Sequence, residues 1–218
     1  MAEFAAQRLN MIESQLRTNK VTDPAVLRAM GELPRERFLP PAMRPIAYVD
    51  DDLALGGGRF LMEPMVMARL VQAVVPHAAG RALEVGGGCG YGAAILARLA
   101  LEVVALEADE AAADAVRSAL GANGCRNVTV AVGPLAEGWS NAAPYDAILV
   151  GGAVPSLPQA LLDQLGPNGR LAAVVAGAGG LGRATLAERR GGTVSQRILF
   201  DAATRPLAGL VAAPGFVF

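Results

Sequence analysis

The sequence predicts an α/β fold: a doubly wound, mostly parallel sheet with a helical N-terminal lead-in and a C-terminal antiparallel hairpin. Three observations predict it. Arg81-Ala-Leu-Glu-Val-Gly-Gly-Gly-Cys-Gly-Tyr91 reads as a buried strand (82–85), a glycine turn at Gly86, Gly88 and Gly90, and a helix from about Tyr91. From there to residue 176, strand-length apolar runs alternate with helical stretches, the pattern of parallel strands joined by crossover helices. Beyond it, residues 181–189 and 193–200 read as two strands around Gly191-Gly192, a hairpin signal.

The elements follow in order. Residues 3–18 place Phe4, Leu9, Met11, Ile12 and Leu16 at roughly helical spacing. Thr22-Asp23-Pro24 starts a second helix, with a capping residue before a proline in the first turn. Pro34 and Pro40-Pro41 end helical structure. Residues 46–62 read as a loop, with a solvated acidic run at Asp50-Asp51-Asp52 and a close-packed or moving glycine run at Gly56-Gly57-Gly58. Glu63-Pro64 opens an apolar helix through Val74. The alternating core then runs as strand 82–85, helix 91–99, strand 102–107, helix 109–122, strand 127–132, strand 145–150, helix 158–165 and strand 170–176. The expectation is one domain over 1–218: a helical region with a loop (1–75), a cofactor-binding core (81–176), and a hairpin with a tail (177–218).

Composition excludes several classes. Hydrophobic residues make up 53% of 218, with mean hydropathy +0.37, so a sizeable core is affordable. No apolar run approaches the ~18 residues of a membrane span, and Met1 to Arg8 carry no signal-peptide core. Net charge is −1 without a basic stripe, which disfavours nucleic acid as the partner. Cys89 and Cys125 form neither a metal spacing nor a disulfide framework. A soluble, cytoplasmic protein without metal or membrane partner is expected. The single histidine, His77, sits in an apparent surface turn and is read as inert; Cys89 is read as a small side chain in the glycine turn.

The turn points to a nucleotide-like cofactor. Glycines let the backbone turn tightly and a ligand come close, and the helix that follows aims free N–H groups over the turn. Glu84 stands two residues before the first glycine and Glu107 ends the next apolar run. Two cofactors compete. Gly88-Cys-Gly90-Tyr-Gly-Ala93 fits the dinucleotide fingerprint with Glu107 near the ribose, which would make an NAD-dependent oxidoreductase. Glu84-x-Gly86-x-Gly88-x-Gly90 instead resembles the first motif of class I S-adenosylmethionine-dependent methyltransferases. There Glu84 can pair with the cofactor's ammonium and Glu107 can accept from both ribose hydroxyls. The antiparallel tail and both carboxylates favour the second.

The resemblance extends over roughly residues 8–175. Met11-Ile-Glu-Ser-Gln-Leu-Arg17, Val21-Thr-Asp-Pro-Ala-Val-Leu-Arg-Ala-Met30 and Leu33-Pro-Arg-Glu-Arg-Phe-Leu-Pro40 resemble the protein-L-isoaspartate O-methyltransferases. So do Ala47-Tyr-Val-Asp50, Pro144-Tyr-Asp-Ala-Ile-Leu-Val150 and Leu161-Leu-Asp-Gln-Leu-Gly-Pro-Asn-Gly-Arg-Leu171. The resemblance implies S-adenosylmethionine as cofactor, isoaspartyl peptides or proteins as partners, and methylation of the isoaspartyl α-carboxyl to start repair. The family carries Thr-Ile-Ser-x-Pro at its acceptor loop; aligned on Pro64, Met62 stands where that serine would be, followed by Glu63. Gly133-Pro134-Leu135 replaces the family's Gly-Asp-Gly, leaving Gly133 and Leu135 beside the adenine position. The family's late Val-Pro-Leu is missing near Phe200-Asp201-Ala202. By resemblance, then, Met62 marks the acceptor side, and Glu84, Gly86, Gly88, Gly90, Glu107, Gly133 and Leu135 the cofactor side; Glu63 either caps the helix that follows or faces the acceptor pocket. The departures motivate a second reading, a relative with a shifted substrate or only a cofactor- or partner-binding role.

Overall fold

A computed structural model describes residues 2–75, 80–177, 179 and 181–210. His77 and its turn lie outside the described residues, as do 211–218.

Helix α1 (Ala2–Asn10) runs on as a π-helical turn (Met11–Leu16) and a 3₁₀ turn (Arg17–Asn19). Helix α2 (Pro24–Glu32) starts as expected: the Asp23 carboxylate accepts from the N–H groups of Ala25 and Val26, and Pro24 occupies the first turn. Pro34 ends α2 as expected, with Leu33 before it already extended. Short 3₁₀ turns follow at Arg35–Phe38 and Pro41–Ile46; Pro41 fits the second because a first helical position needs no N–H partner. The segment read as a loop is instead a small hairpin, β1 (Leu53–Gly56) with β2 (Arg59–Leu61). Its turn needs positive φ at Gly56, Gly57 and Gly58, which the glycine run supplies. The acidic run is not all solvated either. Asp50 and Asp51 are exposed, but Asp52 accepts from the Glu63 N–H (2.8 Å), the Thr204 hydroxyl (2.7 Å) and the Arg205 N–H (2.8 Å).

Helix α3 (Pro64–Val74) buries Val66, Leu70, Val71 and Val74 at helical spacing. Each contributes roughly 1.5–3 kcal/mol of burial. The core then alternates: β3 (Arg81–Val85), α4 (Tyr91–Leu96), β4 (Glu102–Glu107), α5 (Glu110–Ala122), β5 (Val128–Val132), β6 (Tyr145–Val154), α6 (Gln159–Asp163) and β7 (Leu165–Val175). Helices α4 and α6 are shorter than expected, and β6 and β7 longer. The tail forms β8 (Gly182–Arg190) and β9 (Thr193–Ala202) around Gly191-Gly192.

The sheet order is β5-β4-β3-β6-β7-β8-β9. Its first five strands are parallel; β8 runs antiparallel to β7 and β9 to β8. The N-terminal helices, α3, α4 and α5 cover one face; α6 and the segment around Leu135 cover the other. Cover on both faces explains why β3 and β6 are almost continuously buried. Chain order reverses at β3, which leads to β4 on one side while β6 lies on the other. That switch point opens a crevice at the carboxyl ends of the strands, where ligands bind in such sheets. No helix among the described residues is long and apolar enough to cross a membrane.

Candidate active site

The glycine turn lies in that crevice. Gly86, Gly88 and Gly90 have φ between +66° and +79°, a conformation that side-chain-bearing residues rarely adopt. Gly88 donates its N–H to Glu107 Oε1 (3.0 Å), which fixes the carboxylate of β4 against the turn of β3. Gly86, Gly88, Glu107 and Leu135 line one small cavity together with Ala108, Asp109 and Ala112.

Its roof is built from two pieces. One is the hairpin turn, Gly57 to Phe60. The other is Leu207-Ala208 from the chain's tail. The tail is held by Ala153, whose N–H donates to Arg205 O (2.9 Å) and whose carbonyl accepts from the Leu207 N–H (2.8 Å). Asp52 ties the two pieces together through Thr204 and Arg205. Leu207 lies where a Cβ on Gly86 or Gly152 would press against it. The space left is about 60 Å³. Ligand pockets run to about 300–1,000 Å³, so the roof must move to admit a nucleoside.

Glu84 sits beneath the turn. It is fully buried, and a Cβ on Gly87 or Gly92 would collide with its carboxyl group. Neither carboxylate oxygen has a hydrogen-bond partner among the described residues. Burial pushes its pKa up to about 8; the Glu107 charge adds to the rise, and the Ala93 N–H, aimed at it outside hydrogen-bond geometry, offsets less. Glu107 is raised to about 7 by burial, against the pull of the Gly88 N–H and Arg59. A buried carboxyl without a partner and a second one facing the cavity form a site that lacks a cation and hydroxyl donors. An amino-acid ammonium and a ribose diol supply those groups, so these residues fit S-adenosylmethionine.

The remaining expected residues are placed less directly. Gly90 packs toward Val116 and Leu120 of α5, serving the turn, and Gly133 lies near Trp139 and Leu106. Met62 is 2% exposed and does not line the cavity; its carbonyl accepts from Arg35 Nη2 (2.7 Å). Glu63 is half-buried, with a pKa raised to about 7 by burial and by Asp50, Asp52 and Asp51, and Arg35 opposing. Burial pushes the Cys89 thiol up to about 12, which suits an inert packing residue. Among the described residues no group of His, Cys, Asp and Glu gathers as a metal site.

Sequence reasoning missed Arg59, Asp52, Leu207 and Arg35. Arg35 is fully buried, donates to Ala47 O (2.7 Å) and Met62 O, and lies 5.1 Å from the Tyr91 ring centroid. Its signal was a charge inside Leu33-Pro-Arg-Glu-Arg-Phe38. The tail residues at the cavity, Leu207 and Ala208, follow Arg205 and Pro206.

A parallel sheet with this glycine turn, an acidic end to the neighbouring strand and an antiparallel tail defines the class I methyltransferase fold. The model of the protein-L-isoaspartate(D-aspartate) O-methyltransferase family matches residues 6–210. A protein-L-isoaspartate O-methyltransferase 1 of Rhodopseudomonas palustris is 45% identical over 168 residues, 77% of this chain and 69% of that one. A protein-L-isoaspartate O-methyltransferase of Methylorubrum extorquens is 43% identical over 176 residues, 81% and 77% of the two chains. A solved protein-L-isoaspartate O-methyltransferase superposes with TM-score 0.79 at 25% identity, over 93% of this chain and 67% of that one. A Plasmodium falciparum structure described as a putative member, in complex with S-adenosyl-L-homocysteine, superposes with TM-score 0.78 at 20% identity, over 93% and 98%. The chain belongs to the protein-L-isoaspartate(D-aspartate) O-methyltransferase family.

Proposed function

We propose that this protein is an S-adenosylmethionine-dependent O-methyltransferase that acts on the α-carboxyl of isoaspartyl residues in damaged cytoplasmic proteins. The observation that carries the reading is the pairing of family membership with the cradle of Glu84, the glycine turn and Glu107. Gly86 and Gly88 let the cofactor approach the backbone, and Gly90 keeps the turn tight against α5. Glu84 neutralises its ammonium, Glu107 accepts from its ribose, and Gly133 and Leu135 border its adenine, with a backbone N–H in place of the family's Asp. The bound cofactor would supply an electrophilic methyl group on a sulfonium, whose C–S bond would break as the acceptor oxygen bonds to the methyl carbon, leaving S-adenosylhomocysteine. A carboxylate acceptor is already ionised at pH 7, so the chain needs no general base. Its contribution is alignment, and exclusion of water by the roof of hairpin and tail. The test compares methyl transfer to an isoaspartyl peptide with transfer to its aspartyl twin; transfer to neither defeats the reading.

A second reading is favoured by the acceptor side. Met62 offers no hydroxyl, and Glu63 lies among Asp50, Asp51 and Asp52, whose combined charge repels an incoming carboxylate. Under this reading the protein binds S-adenosylmethionine but methylates a neutral or cationic acceptor, or only holds a partner. Cofactor binding without transfer to isoaspartyl peptide would select it.

A further inference from the structure

A second concave site lies away from the glycine turn and shares no lining residue with it. Lys20, Arg69, Arg170 and Arg197 converge there, with Gln72, Leu199 and Phe200, around a depression of about 350 Å³. They come from four places in the chain: the turn before α2, helix α3, β7 and the edge strand β9. Arg170 is neutralised by Glu188 (2.8 Å), which also holds Arg190 (3.0 Å). Lys20, Arg69 and Arg197 have no ion pair and no side-chain hydrogen bond among the described residues. Three uncompensated cations in one depression repel each other, and a chain of net charge −1 has no general excess to explain them.

The cations are held by the framework. The Arg69 guanidinium carbon lies 3.5 Å from the Phe200 ring centroid, in van der Waals contact with its face, which leaves the N–H edges free. Gln72 of α3 pins the turn that carries Lys20. Its Oε1 accepts from the N–H groups of Thr22 (2.7 Å) and Asp23 (2.8 Å), and its Nε2 donates to Lys20 O (3.1 Å). Lys20 itself takes a left-handed conformation (φ +66°) as the cap that closes the 3₁₀ turn Arg17–Asn19, with its N–H donating to Arg17 O. Burial also lowers the pKa of Arg69, a sign of a cation short of hydration.

We propose that this depression is a binding site for a phosphoryl group, carried by free phosphate or by a small phosphomonoester. Guanidinium forks match the geometry of phosphate oxygens, and a lysine adds a point charge. A concave site of this size fits a compact anion.

Lys20 is the only lysine in the chain, so amine acetylation reads this site at one side chain. The full-length protein is acetylated with and without inorganic phosphate or adenosine monophosphate, against sodium chloride of equal ionic strength. Modification of Lys20 is expected to slow at least threefold with the phosphate compounds and not with chloride. Stronger protection by the monophosphate than by free phosphate identifies the carrier as a phosphomonoester; equal protection identifies free phosphate. Arg197→Glu, on the exposed edge strand, and Arg69→Gln should each abolish protection while S-adenosylhomocysteine affinity stays unchanged. Equal protection by chloride, or protection that survives Arg197→Glu, overturns the proposal.

Discussion

Glu84 and Glu107 carry most of the site's electrostatics, and both hold protons more tightly in the folded chain than the ordinary carboxyl value of 4.5 allows. The sign of the pH dependence follows. A carboxyl raised on folding contributes its stability below the unfolded pKa and loses it as pH rises through the folded one. The free protein's thermal midpoint should therefore fall between about pH 5 and pH 8, and Glu84→Gln should flatten that slope in scanning calorimetry. Pairing with the cofactor's ammonium would ionise Glu84. Binding of S-adenosylhomocysteine at pH 7 should then release protons, seen by titration calorimetry in buffers of different ionisation enthalpy, and Glu84→Gln should remove most of the release. No release from the parent protein would place the ammonium elsewhere. Glu107→Ala should weaken the same binding by roughly 1–3 kcal/mol, the range for a lost charged hydrogen bond. Met62→Ser removes a buried side chain and is expected to destabilise by about 2–5 kcal/mol, as large core truncations do; an unchanged denaturation midpoint would show that Met62 faces solvent.

At the scale of elements, the hairpin of β1 and β2 and the tail after β9 form a roof that Asp52 latches from both sides. Asp52→Ala removes three hydrogen bonds to a carboxylate that is partly exposed. A loss of about 1.4 kcal/mol from the closed form would speed release of S-adenosylhomocysteine roughly tenfold. Stopped-flow displacement measures that rate, and an unchanged rate would show that the roof does not control exchange. The latch also marks where sequence reading stops. Helix α3 and strand β4 were legible to the residue, because apolar periodicity and a proline start are local signals. The role of Asp52 was not, since its partners Thr204 and Arg205 lie about 150 residues away and only the folded chain brings them together. The hairpin was hidden for a related reason: three glycines in a row read as a loop, and pairing of two very short strands leaves almost no pattern.

The whole molecule was more legible than its acceptor side. Alternating strands and helices from Arg81 to Val175, followed by Gly191-Gly192 between two strands, specify a parallel sheet with an antiparallel end, and the seven-stranded sheet has that form. The positions of Glu84 and Glu107 follow from local pattern, because Glu84 lies one residue before the end of β3 and Glu107 ends β4. The acceptor side depends on which side chains turn inward from a hairpin, and there Met62 went into the core while Arg59 reached the cavity. The account as a whole stands on one reaction. The purified protein, S-adenosylmethionine with a labelled methyl group, and a peptide pair differing only in isoaspartyl against aspartyl linkage should give labelled methyl ester on the isoaspartyl peptide alone. Firm binding of S-adenosylmethionine with no label on that peptide would contradict the account.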